Sequence, residues 1–182
     1  MSLDQNTVDD RQLLARWRNG DMTAFDQLYQ RYREPLYRFL LRRGHQQVDA
    51  EEVFHDSWLR VMDHLDHFDD ANFKAWLYRI ARNLSTDLMR RKQPSALEES
   101  TQQEQLLTFS TERTQEGVDC MELIRKSVAA LPVEQRDVFL LQHEAGLALQ
   151  QIADLMAVGR ETIKSRIRYA MQQLRKMMAD CL

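Results

Sequence analysis

Apolar residues return at every third or fourth position along most of the chain, and no stretch alternates apolar with polar as a half-buried strand would. The pattern predicts a succession of amphipathic helices. Leu13, Leu14 and Trp17 form the inner face of a first, short helix that Asp9 or Asp10 can cap and that Asn19-Gly20 ends. Phe25, Leu28, Tyr32, Leu36 and Leu40 form a second, sustained stripe, with Pro35 expected to kink it where the ring crowds the preceding turn. A third helix begins near Asp49 and turns Phe54, Trp58, Val61 and Leu65 inward. A fourth runs from Phe73 to Lys92, about 30 Å at the rise of an α-helix, with Leu77, Ile80, Leu84 and Leu88 on its apolar side.

After Lys92 the periodicity stops. Gln93-Pro94-Ser95 opens a stretch of Glu, Gln, Ser and Thr that lasts to about Gly117, where Glu98, Glu99, Glu104, Glu112 and Glu116 face only Arg113. This composition is that of a flexible acidic linker, with Leu106, Leu107 and Phe109 suggesting a docking turn inside it. Helical stripes resume with Met121, Ile124, Val128 and Leu131, then a helix over Val133 to Glu144 that Gly146 breaks. Leu149, Ile152, Ala153 and Met156 mark a short helix ending in Ala157-Val158-Gly159, and Ile163, Ile167, Ala170, Leu174 and Met177 a long last one. The fold class is therefore all-α, in two small helical domains: an N-terminal bundle over 1–92, a linker over 93–117 and a C-terminal four-helix domain over 118–182.

Composition adds a segregation of charge to this picture. The chain has 182 residues, 43% of them hydrophobic, enough to bury a core, and a net charge of -3. That small sum hides two opposed regions: Asp49 to Asp70 carries eight acids against Arg60, whereas Arg160 to Lys176 carries six bases against Glu161. Such a chain presents different surfaces to different partners. The two cysteines, Cys120 and Cys181, lie far apart without CxxC spacing, so neither a disulfide framework nor a zinc site is indicated. His64 and His67 with Asp63 and Asp66 match no compact metal pattern, and no metal or other cofactor is expected. No signal-like start and no apolar run of membrane-spanning length occur, which points to the cytoplasm.

Two stretches carry candidate chemistry. In the fourth helix Arg79, Arg82, Asn83, Thr86, Arg90, Arg91 and Lys92 form a basic and polar side, with Phe73, Trp76 and Tyr78 at its start. Cations to neutralise phosphates beside rings on which unpaired bases stack are what a single-stranded nucleic-acid surface requires. The preceding polar turn, Asp69 to Phe73, can hold a pocket, with Asp70 or Asn72 as the helix cap. In the C-terminal domain a short helix, a small turn containing Gly and a longer basic helix make a helix-turn-helix, whose second helix enters the major groove. Thr162, Ser165 and Arg166 are the base-edge candidates there, and Arg160, Lys164 and Arg168 the phosphate contacts. No P-loop, HExxH, nucleophile elbow or poised carboxylate pair appears, so neither an enzyme nor a small-molecule substrate is expected.

Taken together, AEEVFHDSWLRV at 50–61, FKAWLYRIARN at 73–83 with Asp87 and Arg90 after it, and LPVEQRDVFLL followed by QQIADLMAVGRETIKSRIRYAMQQLR resemble, in order, the motifs of the extracytoplasmic-function (ECF) group of sigma-70 family sigma factors. The resemblance implies that Glu51, Glu52, His55, Asp56 and Leu59 bind the clamp helices of the largest subunit of core RNA polymerase. It implies capture of an extruded minus-ten base by the Asp69 to Phe73 turn and the following helix, readout of the minus-thirty-five element by the helix-turn-helix, and a linker threading the RNA exit path. Core polymerase, promoter DNA and an anti-sigma factor, in some relatives membrane-bound, are the implied partners. His55-Asp56 stands where the family often has Gln-Glu, and Ala157 and Gly159 stand where a Gly and a capping Ser are usual. The alternative is a stand-alone helix-turn-helix regulator whose N-terminal domain senses a ligand or dimerises.

Overall fold

A computed structural model describes residues 9–69, 72–92 and 120–179. Among them are eight α-helices and no strand, in accordance with the all-α expectation. The linker over 93–117 lies outside the described residues.

The N-terminal half comprises α1 (Asp10–Arg18), α2 (Met22–Arg42), α3 (Gln47–His64) with a 3-10 turn at Leu65–His67, and α4 (Phe73–Lys92). Asn19 closes α1 and Gly20 follows at φ 89, so the expected stop holds. Asp21 opens α2 as its N-cap, accepting from the Thr23 amide at 3.0 Å. Its bonds to Thr23 and Arg16 hold its pKa down to about 2. Pro35 lies inside α2, and the helix is continuous from Met22 to Arg42 across it. The first turn of α1 is tied to α2 by Asp10, which receives Arg31 and the Tyr32 phenol. Arg18 donates to the carbonyls of Leu65, at 2.9 Å, and Phe68, tying the end of α1 to the 3-10 turn that follows α3.

The centre of this half is aromatic. Phe25 meets Trp17 at 4.8 Å and Trp58 at 5.8 Å, while Phe73 meets Tyr32, Phe68 and Trp76 at 5.5, 6.2 and 6.0 Å. Around it Leu28, Leu36, Phe39, Leu40, Leu77 and Ala81 are fully buried, each large side chain contributing about 1.5–3 kcal/mol by removal from water. The inner line of α4 differs from the expected one: Phe73, Leu77, Ala81 and Ser85, four apart, are buried, while Ile80, Leu84 and Leu88 are only partly so. The small residues Ala81 and Ser85 let neighbouring backbone approach, a signal that a search for large apolar residues passes over.

The C-terminal half comprises α5 (Cys120–Ala129), α6 (Val133–His143), α7 (Leu149–Met156) and α8 (Arg160–Met177), the four helices expected. Ile163, Ala170 and Leu174 of α8 pack with Val138, Leu140 and Leu141 of α6 and Ile152 of α7. Cys120, which spacing left out of any disulfide framework, is disulfide-bonded, whereas Cys181 lies outside the described residues. The two halves touch: α7 packs on α4, and α5 and α6 pack on α2.

Candidate nucleic-acid interfaces

The turn between α7 and α8 is built by backbone rather than by side chains. Ala157 adopts a left-handed conformation at φ 54, and the Val158 amide turns back to the Ala153 carbonyl at 3.1 Å. Gly159 is the N-cap of α8 and offers no side-chain acceptor to the first turn. At the start of α7 the Ala148 amide donates to Gln151 Oε1 at 2.8 Å. The result leaves Arg160, Thr162, Lys164 and Arg168 exposed on the first turns of α8, as groove entry requires. Lys164 pairs with Glu161 at 2.7 Å on the helix surface. That hydrogen bond holds the Glu161 carboxyl below its usual range. Ser165 is half-buried.

Arg166 departs from the expected base-edge position. It reaches back to Glu134 at the start of α6, and only 20% of its side chain is exposed, so as placed it braces α8 against α6. Tyr169, which the sequence pattern did not single out, is 49% exposed with the Arg168 guanidinium 5.2 Å from its ring centre. The signal was an aromatic on the basic face rather than the inner stripe.

On α4 Asn72 is the N-cap, its Oδ1 accepting from the Ala75 amide at 3.0 Å, whereas Asp70 lies outside the described residues. Arg79, Asn83, Arg90 and Arg91 are exposed along one side, Arg90 pairing with Asp87 at 2.9 Å. The three rings expected to offer stacking faces, Phe73, Trp76 and Tyr78, are corrected by burial, Tyr78 being 1% exposed. Phe73 is 1% exposed and Trp76 9%, and Trp76 lies stacked on Phe68 at 4.3 Å. A base could not use those faces while Phe68 holds them, and the rings are core because they sit one turn apart over the α2–α3 junction. Arg82 is also partly taken: its Nε donates to Asp137 of α6 at 2.8 Å.

The outer face of α3 exposes Glu51, Glu52, His55, Asp56 and Leu59, as expected of a partner surface. Val48 and Met62 extend it, at 73% and 45% exposure beside Leu59 at 44%. Val48, Glu52, His55, Leu59 and Met62 fall four and three residues apart, making one stripe of apolar and acidic positions. Isolated exposed apolar residues are ordinary, but three on one helical line beside carboxylates form a patch with a defined character. Among the described residues no group of three or more His, Cys, Asp or Glu side chains could hold a metal ion, and no helix is long and apolar enough to cross a membrane.

Comparison with known proteins matches both halves. Residues 28–94 match the family model for Sigma-70 region 2, and residues 128–176 that for Sigma-70, region 4. The pairing defines a sigma-70 type protein, and the match over α2 to α4 removes the alternative of a sensing or dimerising N-terminal domain. The chain is 30% identical over 156 residues to the ECF RNA polymerase sigma factor SigL of Mycobacterium tuberculosis, covering 84% of this chain and 88% of SigL. It is 28% identical over 174 residues to SigW of Bacillus subtilis, an ECF RNA polymerase sigma factor, covering 90% and 93%. Among solved structures it resembles CnrH, determined in complex with the cytosolic domain of CnrY, at a TM-score of 0.71 and 25% identity over 94% of this chain and 97% of CnrH. RpoE from Bartonella quintana, solved with the anti-sigma factor NepR, shares the fold at a TM-score of 0.67 and 23% identity over 85% and 96%. The chain belongs to the ECF group of RNA polymerase sigma factors.

Proposed function

We propose that this sigma factor binds core RNA polymerase through the outer stripe of α3, opens the promoter with α4, and reads the upstream element with α8. The carrying observation is the α3 stripe: Val48, Leu59 and Met62 are exposed beside Glu52, His55 and Asp56 within the region 2 match. Apolar side chains supply contact area to a partner helix pair, and the carboxylates select for a basic one.

On α4 the minus-ten surface consists of Asn72, Arg79, Arg82, Asn83, Arg90 and Arg91, with the polar turn at 69–73 as the place for an extruded base. Extrusion costs a few kcal/mol of unstacking, which phosphate contacts along the helix offset. Phe73 and Trp76 shape this surface from beneath. On α8 Thr162 faces base edges and Arg160, Lys164 and Arg168 contact phosphates, with Ser165 and Arg166 at the margin. The protein performs no catalysis of its own and acts in the cytoplasm, where polymerase and promoter are found. An anti-sigma factor completes its partners, a reading supported by the NepR complex of the related fold.

Capture of core polymerase by the full chain tests this reading. The natural chain is expected to be retained, and Glu52→Lys with Asp56→Lys to weaken retention by roughly tenfold or more. Equal retention of both would remove α3 as the polymerase surface.

A further inference from the structure

Among the large apolar side chains that the described residues leave exposed, one is aromatic: Tyr169 of α8, at 49%. An exposed ring leaves more apolar area in water than most side chains can, so its placement carries a cost that a partner could recover. Its place on the helix is specific. Thr162, Ser165 and Tyr169 follow at steps of three and four, so they share one side of α8, turned away from the buried Ile163, Ala170 and Leu174. Tyr169 stands two turns beyond Thr162, about 10 Å along the axis, which is about three base pairs of a duplex. Arg166, next to that line, is drawn to Glu134 with 20% of its side chain exposed, and Ser165 is short and half-buried. Beyond the first turn, Tyr169 is therefore the side chain with surface to offer.

The ring is also held. The Arg168 guanidinium lies 5.2 Å from its centre, within cation–π reach, and occupies one face. A ring fixed in this way loses little freedom when it meets a ligand. What it can recognise follows from the groove. The major-groove edges of the bases present acceptors at purine N7, guanine O6 and thymine O4 and donors at adenine N6 and cytosine N4, but one apolar group, the C5 methyl of thymine. A ring laid over a purine N7 or the cytosine amino group takes water from a polar atom and returns no hydrogen bond, which is unfavourable. Laid over the methyl, it buries apolar surface on apolar surface.

We infer that Tyr169 is a base-reading residue of α8: its ring covers the C5 methyl of a thymine in the duplex, while Arg168, stacked on the ring, anchors to the adjoining phosphate. This rests on the reading of α8 given under the proposed function and adds to it a residue and the base that the residue selects. Thr162 reads at the start of the helix and Tyr169 two turns on. The Arg168 pair sets how deep the ring enters the groove.

The full chain tests this on duplex DNA. A duplex library of random sequence is enriched for binding to the natural chain, and each thymine of the enriched sequence is then replaced in turn by uracil, which keeps the base pair and lacks the methyl. Fluorescence anisotropy reads the affinities. For the natural chain one replacement is expected to weaken binding by about fourfold, the worth of burying one group of that size. Tyr169→Ala, a surface change that leaves the fold in place, should weaken binding to the thymine duplex by a similar factor and become indifferent to that replacement. Its log–log salt slope should stay at the natural value, because no cation is lost. Tyr169→Phe should restore the response to the methyl. A Tyr169→Ala chain that still answers to uracil as the natural chain does would overturn the assignment, as would a natural chain that answers to uracil nowhere. A salt slope lowered by about one unit in Tyr169→Ala would also overturn it, by showing that the ring serves only to place Arg168 on phosphate. A natural chain that enriches no sequence would instead remove the reading of α8 itself.

Discussion

The two candidate DNA surfaces use the same residue types and stand in opposite conditions. On α8 Arg160, Thr162, Lys164 and Arg168 face solvent, and the strongest tie among them is the surface pair of Lys164 with Glu161 at 2.7 Å. On α4 Arg79 and Asn83 are open, but Arg82 is drawn under the other half by Asp137. Basicity read along a helix therefore does not measure the cations a surface can offer. That number is set by which carboxylates tertiary structure brings alongside, and at what depth. A surface pair is worth about 0–1 kcal/mol and yields readily to a phosphate, whereas a pair whose carboxylate is fully buried, as that of Asp137 is, yields less readily because the carboxylate would be left without its partner.

The largest expected effect tests this difference in depth. Arg43, just after α2, donates its Nε to the buried Asp137 of α6 at 2.6 Å, so Arg43→Met should cost about 3–5 kcal/mol of stability in urea denaturation, because a buried charge is left short of its compensation. Arg160→Ala, on the open surface, should change stability by no more than about 0.5 kcal/mol. Equal costs would mean that the α6 contact is solvated and that the two surfaces do not differ.

Binding sharpens the comparison from the other side. Lys164→Ala and Arg168→Ala should each weaken duplex binding uniformly across sequences and lower the log–log salt slope by about one unit in anisotropy titrations. Arg166→Ala should do less to the slope, since Glu134 already occupies its guanidinium. A full unit lost with Arg166→Ala would show that the Glu134 pair breaks on binding.

A smaller effect concerns how the two helices begin. Asn72 caps α4 with a side-chain acceptor, so Asn72→Ala should cost about 1 kcal/mol and fray the start of the helix, seen as faster amide exchange at Ala75. Any promoter-opening defect in this variant then has two sources. Asn72→Ser separates them, because it keeps a cap and removes the amide. An opening defect that persists in Asn72→Ser while amide exchange stays slow would assign Asn72 a contact with DNA.

Periodicity identified the helices because each one buries a stripe, and burial of a stripe is a local signal. It placed the ends of α1 and α6 within a residue or two, since Asn19-Gly20 and Gly146 are local breakers. It also placed the exposed positions of α3 and the first turns of α8. It misread Phe73 and Trp76, whose place depends on Phe68 and Tyr32 from other elements. It had no means of finding Arg43, which in sequence is the second of two arginines ahead of a glycine and in the fold is among the most buried large side chains. Both failures concern long-range contacts, and no spacing rule within one helix carries them.

The smallest expected effect lies in the open surface itself. Ala157 takes φ 54 where its Cβ crowds the following carbonyl, a conformation that costs a residue with a side chain roughly 1–2 kcal/mol. Glycine adopts it freely but loses more freedom on folding, so Ala157→Gly should stabilise the chain by only about 0.5–1 kcal/mol in thermal or urea unfolding. The backbone of the turn is held by the Val158 amide on the Ala153 carbonyl at 3.1 Å, a bond the substitution leaves in place. The first turns of α8 should then keep their angle to α7, and duplex affinity and salt slope should stay at their natural values. A gain in stability with a loss of affinity would mean that the strained alanine holds α8 in its reading position, so that this surface, open as it is, is set as firmly by its turn as α4 is by its buried arginine.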